Sequence, residues 1–167
     1  MPSNTLVFRA LLRAALPNLA DVARQTQAAT VLDFGPVRLS SLDGLDLKDG
    51  LTPSAQTSAP SLAVCAFGLS LLSERELSSR LDALHASADH AVFLDIKVAE
   101  RNLELPSSLL LNGMRRFCGK KSSAFRHLHG LEGLLWREAE RFQTLERRTL
   151  LGGGILCVLV KCLRHEG

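Results

Sequence analysis

Asp33 and Gly35 are the residues of this chain best suited to ligand chemistry. They close the stretch Val31-Leu32-Asp33-Phe34-Gly35, a continuous apolar run that ends in an acid and a glycine. Such a run fits a short strand buried on both faces. The acid can orient the turn that follows, and the glycine lets backbone approach a ligand closely. A glycine-rich turn and a helix would complete a nucleotide site, because a helix N-terminus offers free N–H groups to an anion. Here Pro36 follows at once, adding a ring and removing a donor, and Val37 and Arg38 bring β-carbons. Only ten residues separate Gly35 from Asp46. That is too few for a turn, a full helix and a returning parallel strand.

A second chemical signal is charge. Arg115, Arg116, Lys120, Lys121 and Arg126 fall within twelve residues, His127 and His129 follow, and no acid occurs between Glu104 and Glu132. The cluster suits an acidic or phosphorylated substrate, an anionic surface, or simply a solvated basic helix end. Nucleic-acid recognition is not expected: aromatics do not interleave with the charges, the chain has no tyrosine, and net charge is only +3. Metal binding is not expected either. His127 and His129 lack partners at ligand spacing, and Cys65, Cys118, Cys157 and Cys162 form no CxxC pair. Reduced, buried thiols fit a cytosolic protein. Cys157 and Cys162, five apart, would face opposite sides of one strand. Gly152-Gly153-Gly154 lacks the lysine of a phosphate loop, and no Gly-x-Ser-x-Gly elbow is present.

The elements that must position these residues are legible as patterns. Residues 4–27 read as helix in two pieces, with Leu6, Ala10, Leu11 and Ala14 on one face, a break at Pro17 and an N-cap at Asn18. Thr30 to Phe34 is the first strand. Residues 37–47 hold a second short strand ending in an acid, and 48–60 are rich in turn formers. Ser61 to Phe67 is a strand. Ser73-Glu74-Arg75-Glu76 is a capping box that opens a helix with Leu77, Leu81 and Leu84 on one stripe. Ala91 to Ile96 is a strand, and Pro106 to Phe117 and Leu131 to Phe142 are helices. Gln143 to Leu150 and Ile155 to Leu163 form a hairpin around the glycines. Strands spaced by helices imply a parallel sheet with right-handed crossovers, closed by one antiparallel strand. The fold class is α/β: a Rossmann-like, mostly parallel sheet of five to six strands with a C-terminal antiparallel hairpin and helices on its faces. All 167 residues fit one domain. It comprises an N-terminal helical segment over 1–29 and a basic, lid-like insertion over 105–130. Arg9 and Arg13 interrupt the apolar N-terminus, so a signal peptide is not expected, and no stretch is long enough to span a bilayer. A cytoplasmic location follows as an expectation.

Laid out this way, the chain resembles the class I S-adenosylmethionine (SAM)-dependent methyltransferases. Ser61-Leu-Ala-Val-Cys-Ala-Phe-Gly-Leu-Ser-Leu-Leu72 is similar to the family's fourth strand and the apolar turn after it. Glu76 to Leu84 resembles the next helix, His90 to Ile96 the fifth strand, and Phe142 to Lys161 the terminal hairpin. In the first half, Val31 to Gly35 and Gly44-Leu45-Asp46-Leu47 match. The resemblance implies that Asp33 and Gly35 belong to the cofactor turn, with Asp33 steering the turn and the cofactor's amino group; otherwise Asp33 is a strand-end aspartate that caps a loop. Asp46 would be the ribose acid at the end of the second strand, a later acid near the adenine, or a solvated turn residue. Phe67 would flank an adenine or substrate pocket, or lie in the core. The basic segment would be a lid over the substrate, with Arg115, Arg116, Lys120, Lys121 and Arg126 as anion-binding residues.

Three functions follow. The first is a non-catalytic interaction or regulatory module whose SAM site has eroded. The second is an active SAM-dependent methyltransferase with a non-standard cofactor site, acting on a small or anionic substrate. The third is an anion-binding protein using the basic segment. Loss of the helix after the first strand should bare an apolar face between strands one and two. That face predicts a homodimer, or a complex with a full-length paralogue.

Overall fold

The computed structural model describes residues 4–35, 39, 46–51, 61–67, 69, 72–97 and 130–164, with side chains from residue 8 onward. Six strands form one mixed sheet: β1 (Thr30–Asp33), β2 (Asp46–Asp49), β3 (Ser61–Ala66), β4 (His90–Ile96), β5 (Phe142–Leu150) and β6 (Ile155–Cys162). Their order is β2-β1-β3-β4-β6-β5. β2, β1, β3 and β4 run parallel, and β6 lies antiparallel between β4 and β5. Every residue of β1 and β3 is buried, as strands with both faces covered should be.

Three helices pack on the sheet among the described residues: α1 (Asn4–Gln25), α2 (Glu74–Ser87) and α3 (Gly130–Arg137). α1 sets Phe8, Leu12, Leu19 and Val22 on the face formed by Val31, Val64, Leu94 and Cys157. α2 and α3 cover the other face, where Leu77, Leu81, Leu84 and Leu134 meet Leu32, Phe93, Val158 and Cys162. Cys157 and Cys162 thus fall on opposite faces, as their spacing requires. Burial pushes their thiols up, to about 11 and about 12.

α1 runs unbroken through Pro17 and Asn18, in contrast to the two pieces expected. Proline inside a helix costs about 3 kcal/mol. Here the ring faces solvent, and the buried stripe continues on both sides of it, so packing outweighs the missing N–H. The bare apolar face expected between the first two strands is also not found among the described residues. Val31 is fully buried beneath α1, and Leu47 of β2 packs against the same cluster. The helix that precedes β1 covers this face.

The second strand begins at Asp46 instead of ending there. Its inward residue is Leu47, and the strand runs on to Asp49-Gly50. A Cβ at position 50 would overlap the Phe34 ring, so only glycine lets the chain pass there. α3 is shorter than expected because Phe142, read as its last apolar residue, opens β5 opposite Cys162. The capping box is present: the Ser73 N–H donates to Glu76 Oε2 at 2.8 Å, and the Glu76 N–H to Ser73 Oγ at 3.3 Å. The β5–β6 hairpin turns through Leu151, Gly152 and Gly153, all with positive φ. The expected helix over 106–117 lies outside the described residues.

Candidate functional site

In open α/β sheets, ligands bind beyond the carboxyl ends of the parallel strands. Here those ends are closely tied together. One residue past β1, the Phe34 N–H donates to the Val64 carbonyl at 2.8 Å. The Gly50 N–H donates to the Asp33 carbonyl at 3.0 Å, and the Phe67 N–H to that of Leu94 at 2.8 Å. Arg80 reaches over from α2, and its Nη1 donates to the Phe34 carbonyl at 2.7 Å.

Asp33 is buried, and its carboxylate is turned into its own loop. Oδ1 accepts the Gly35 N–H at 2.9 Å and Oδ2 accepts the Leu39 N–H at 2.8 Å. Asp33 therefore caps its own loop. Gly35 is buried beside it, with its N–H committed to that carboxylate.

Asp46 stands at the other end of the sheet. It is the register partner of Thr30, the first residue of β1, and its carboxylate lies 3.3 Å from Lys48 Nζ. The acid that ends the second strand is Asp49, opposite Asp33. It is exposed, and its Oδ1 accepts the Leu51 N–H at 2.9 Å. Sequence reading missed Asp49 because Lys48-Asp49-Gly50 looks like the start of a turn. No local signal singles it out, since Asp43-Gly44 carries the same acid–glycine pair. Asp33, Leu47, Lys48 and Asp49 line a cavity of about 180 Å³.

Phe67 follows β3 with φ 47°, a left-handed backbone that is unusual for a bulky residue. Its ring is fully buried and packs 6.2 Å from the Phe8 ring of α1. It is part of the core on the α1 face. Below it on β3, burial pushes the Cys65 thiol up to about 12, so the thiol stays protonated and inert. Arg115, Arg116, Lys120, Lys121 and Arg126 lie outside the described residues, as does the rest of the lid-like segment. Among the described residues, no group of three or more His, Cys, Asp or Glu could hold a metal ion. No helix there is long and apolar enough to cross a membrane.

The fold is matched in solved structures. The structure superposes on the methyltransferase domain of bacterial CtHen1 with a TM-score of 0.51 at 11% identity, over 90% of this chain and 99% of that domain. The fold is methyltransferase-like. LepI, solved in complex with SAM, gives the same TM-score and identity, and the match covers 90% of this chain but 40% of the LepI chain. At that identity the likeness is one of fold. No protein-family profile and no curated protein sequence matches the chain. Within the methyltransferase-like fold, the structure holds Asp33 and Gly35 together at the carboxyl edge with Asp49 opposite Asp33, sets Asp46 at the other strand end, and buries the Phe67 ring in the core.

Proposed function

We propose that this chain is a methyltransferase-fold interaction module whose carboxyl-end site no longer supports methyl transfer. The observation that carries the reading is the inward-turned Asp33. Its two oxygens consume the N–H groups of Gly35 and Leu39, and Pro36 between them has none. Those groups cannot also receive the charged tail of a sulfonium nucleotide. Methyl transfer gains most of its rate from positioning, which a weakly held cofactor cannot supply.

Calorimetric titration with SAM and with its demethylated product tests this. The expected outcome is no saturable binding below the millimolar range. A micromolar dissociation constant overturns the reading.

One observation favours a second reading, an active SAM-dependent methyltransferase with a non-standard site. Asp49 is exposed beside Asp33 at the end of the second strand, where a carboxylate can accept two ribose hydroxyls. Micromolar SAM binding that Asp49→Ala abolishes and Asp46→Ala leaves intact would establish it. As an interaction module, the chain would act through a partner, either a second copy or a paralogue.

A further inference from the structure

The surface most suited to a partner lies at the far edge of the sheet from Asp33. β5 is the last strand, hydrogen-bonded to β6 alone among the described residues. On its α3 side is a groove of about 690 Å³, lined by Leu135, Trp136, Phe142, Thr144, Arg147 and Val158 among others. Trp136, the chain's single tryptophan, stands at its rim and is 84% exposed. Tryptophan is the residue most enriched where binding energy concentrates, and one ring can bury about 150–250 Å².

The charges of β5 specify what fits its edge. Glu146 and Arg148 lie on the α1 side of the strand and pair with each other, Arg148 Nη2 donating to Glu146 Oε2 at 3.0 Å and Nε to Oε1 at 2.5 Å. Arg147 lies on the opposite side, paired with Glu132 of α3. A strand reading acid-base-base is self-complementary in one antiparallel register. Centred on Arg147, that register sets Glu146 opposite a second copy's Arg148, and Arg148 opposite its Glu146. Centring on Glu146 or Arg148 gives a like pair on the axis and no opposite pair, whereas centring on Arg147 flanks its one like pair, Arg147 with Arg147, by two opposite pairs. The β-bulge between Thr144 and Glu146 interrupts the ladder on one side and so limits slippage to other registers.

We infer that the partner is a second copy of this chain, joined through β5 in the register centred on Arg147, with the two Trp136 grooves closing over the seam. A twofold axis that relates two antiparallel edge strands runs perpendicular to the sheet. It keeps both α3 helices on the same face, so each groove opens toward the other. On the α1 face, two intrachain pairs become a ring of four alternating charges. The symmetric arginines at the axis are each neutralised by their own Glu132. The inference deepens the interaction-module reading by naming the partner, and it is decided by a measurement separate from the SAM titration.

Sedimentation velocity on the full chain at micromolar concentration tests it. Wild type is expected to be a dimer. Glu146→Arg and Arg148→Glu, each alone, set like charges opposite each other and are expected to weaken the dimer about tenfold or more. An equimolar mixture of the two variants restores every opposite pairing, so the dimer should return. Circular dichroism confirms that each variant is folded. Should either variant fail to fold, Arg147→Cys places a thiol on the axis and is expected to cross-link to itself under mild oxidation, above the wild-type background. A wild-type monomer overturns the inference. So do single variants that dimerise as wild type does, a mixture that stays monomeric, or an Arg147→Cys variant that does not cross-link.

Discussion

The two edges of this sheet are built differently. At one edge, β1 and β2 are four residues each, and β2 exposes three of its four side chains, all charged. At the other, β4, β6 and β5 run for seven, eight and nine residues around an almost wholly apolar β6. Both cores draw on β6 and β4, whereas β2 contributes little more than Leu47. Folding strength is therefore concentrated at the hairpin side. Asp33 and Asp49, at the carboxyl ends of β1 and β2, therefore sit on the side of the sheet that carries less of the buried surface.

Three substitutions would sharpen or break this contrast. Phe93→Ala should have the largest effect. The ring is fully buried in β4 and packs edge-on against Phe142, 5.7 Å between centroids. Its loss is expected to destabilise the protein by about 3–5 kcal/mol in chemical denaturation. Asp33→Ala comes next, at about 2–3 kcal/mol, because two N–H groups lose a charged acceptor. If it matched Phe93→Ala, the short edge would be a keystone and the contrast would fail. Gly50→Ala is the mildest, at about 1–3 kcal/mol, since the new methyl must displace the Phe34 ring locally. Hydrogen exchange should show its effect confined to β1 and β2; a change spreading into β6 would contradict a localised edge.

How far the sequence anticipated these features depended on how local they are. β1, β3 and β4 stood out as continuous apolar runs, and the hairpin as two strands around three glycines. The Ser73–Glu76 box marked the start of α2 to the residue. What sequence could not show was what each stripe packs against. The apolar face of α1 was visible, but its docking over Val31 and Leu47 depends on tertiary placement. Pro17 read as a break because local propensity could not weigh the burial on either side of it. Asp46 was put at the wrong end of β2 because a four-residue edge strand with three charged residues has almost no periodic signal. Gly50 owes its necessity to a ring sixteen positions earlier, a contact no local window contains.

The position of β6 governs how this molecule can assemble. It is made after β4 and β5, yet it lies between them, and α1, made before any of them, packs on residues that β6 contributes. The α1 face is therefore completed only when Ile155, Cys157 and Leu159 arrive with the hairpin. Pairings so distant in the chain form slowly. A nascent chain stalled before Ile155 would hold an open, sticky β4 edge, a natural point for chaperone capture.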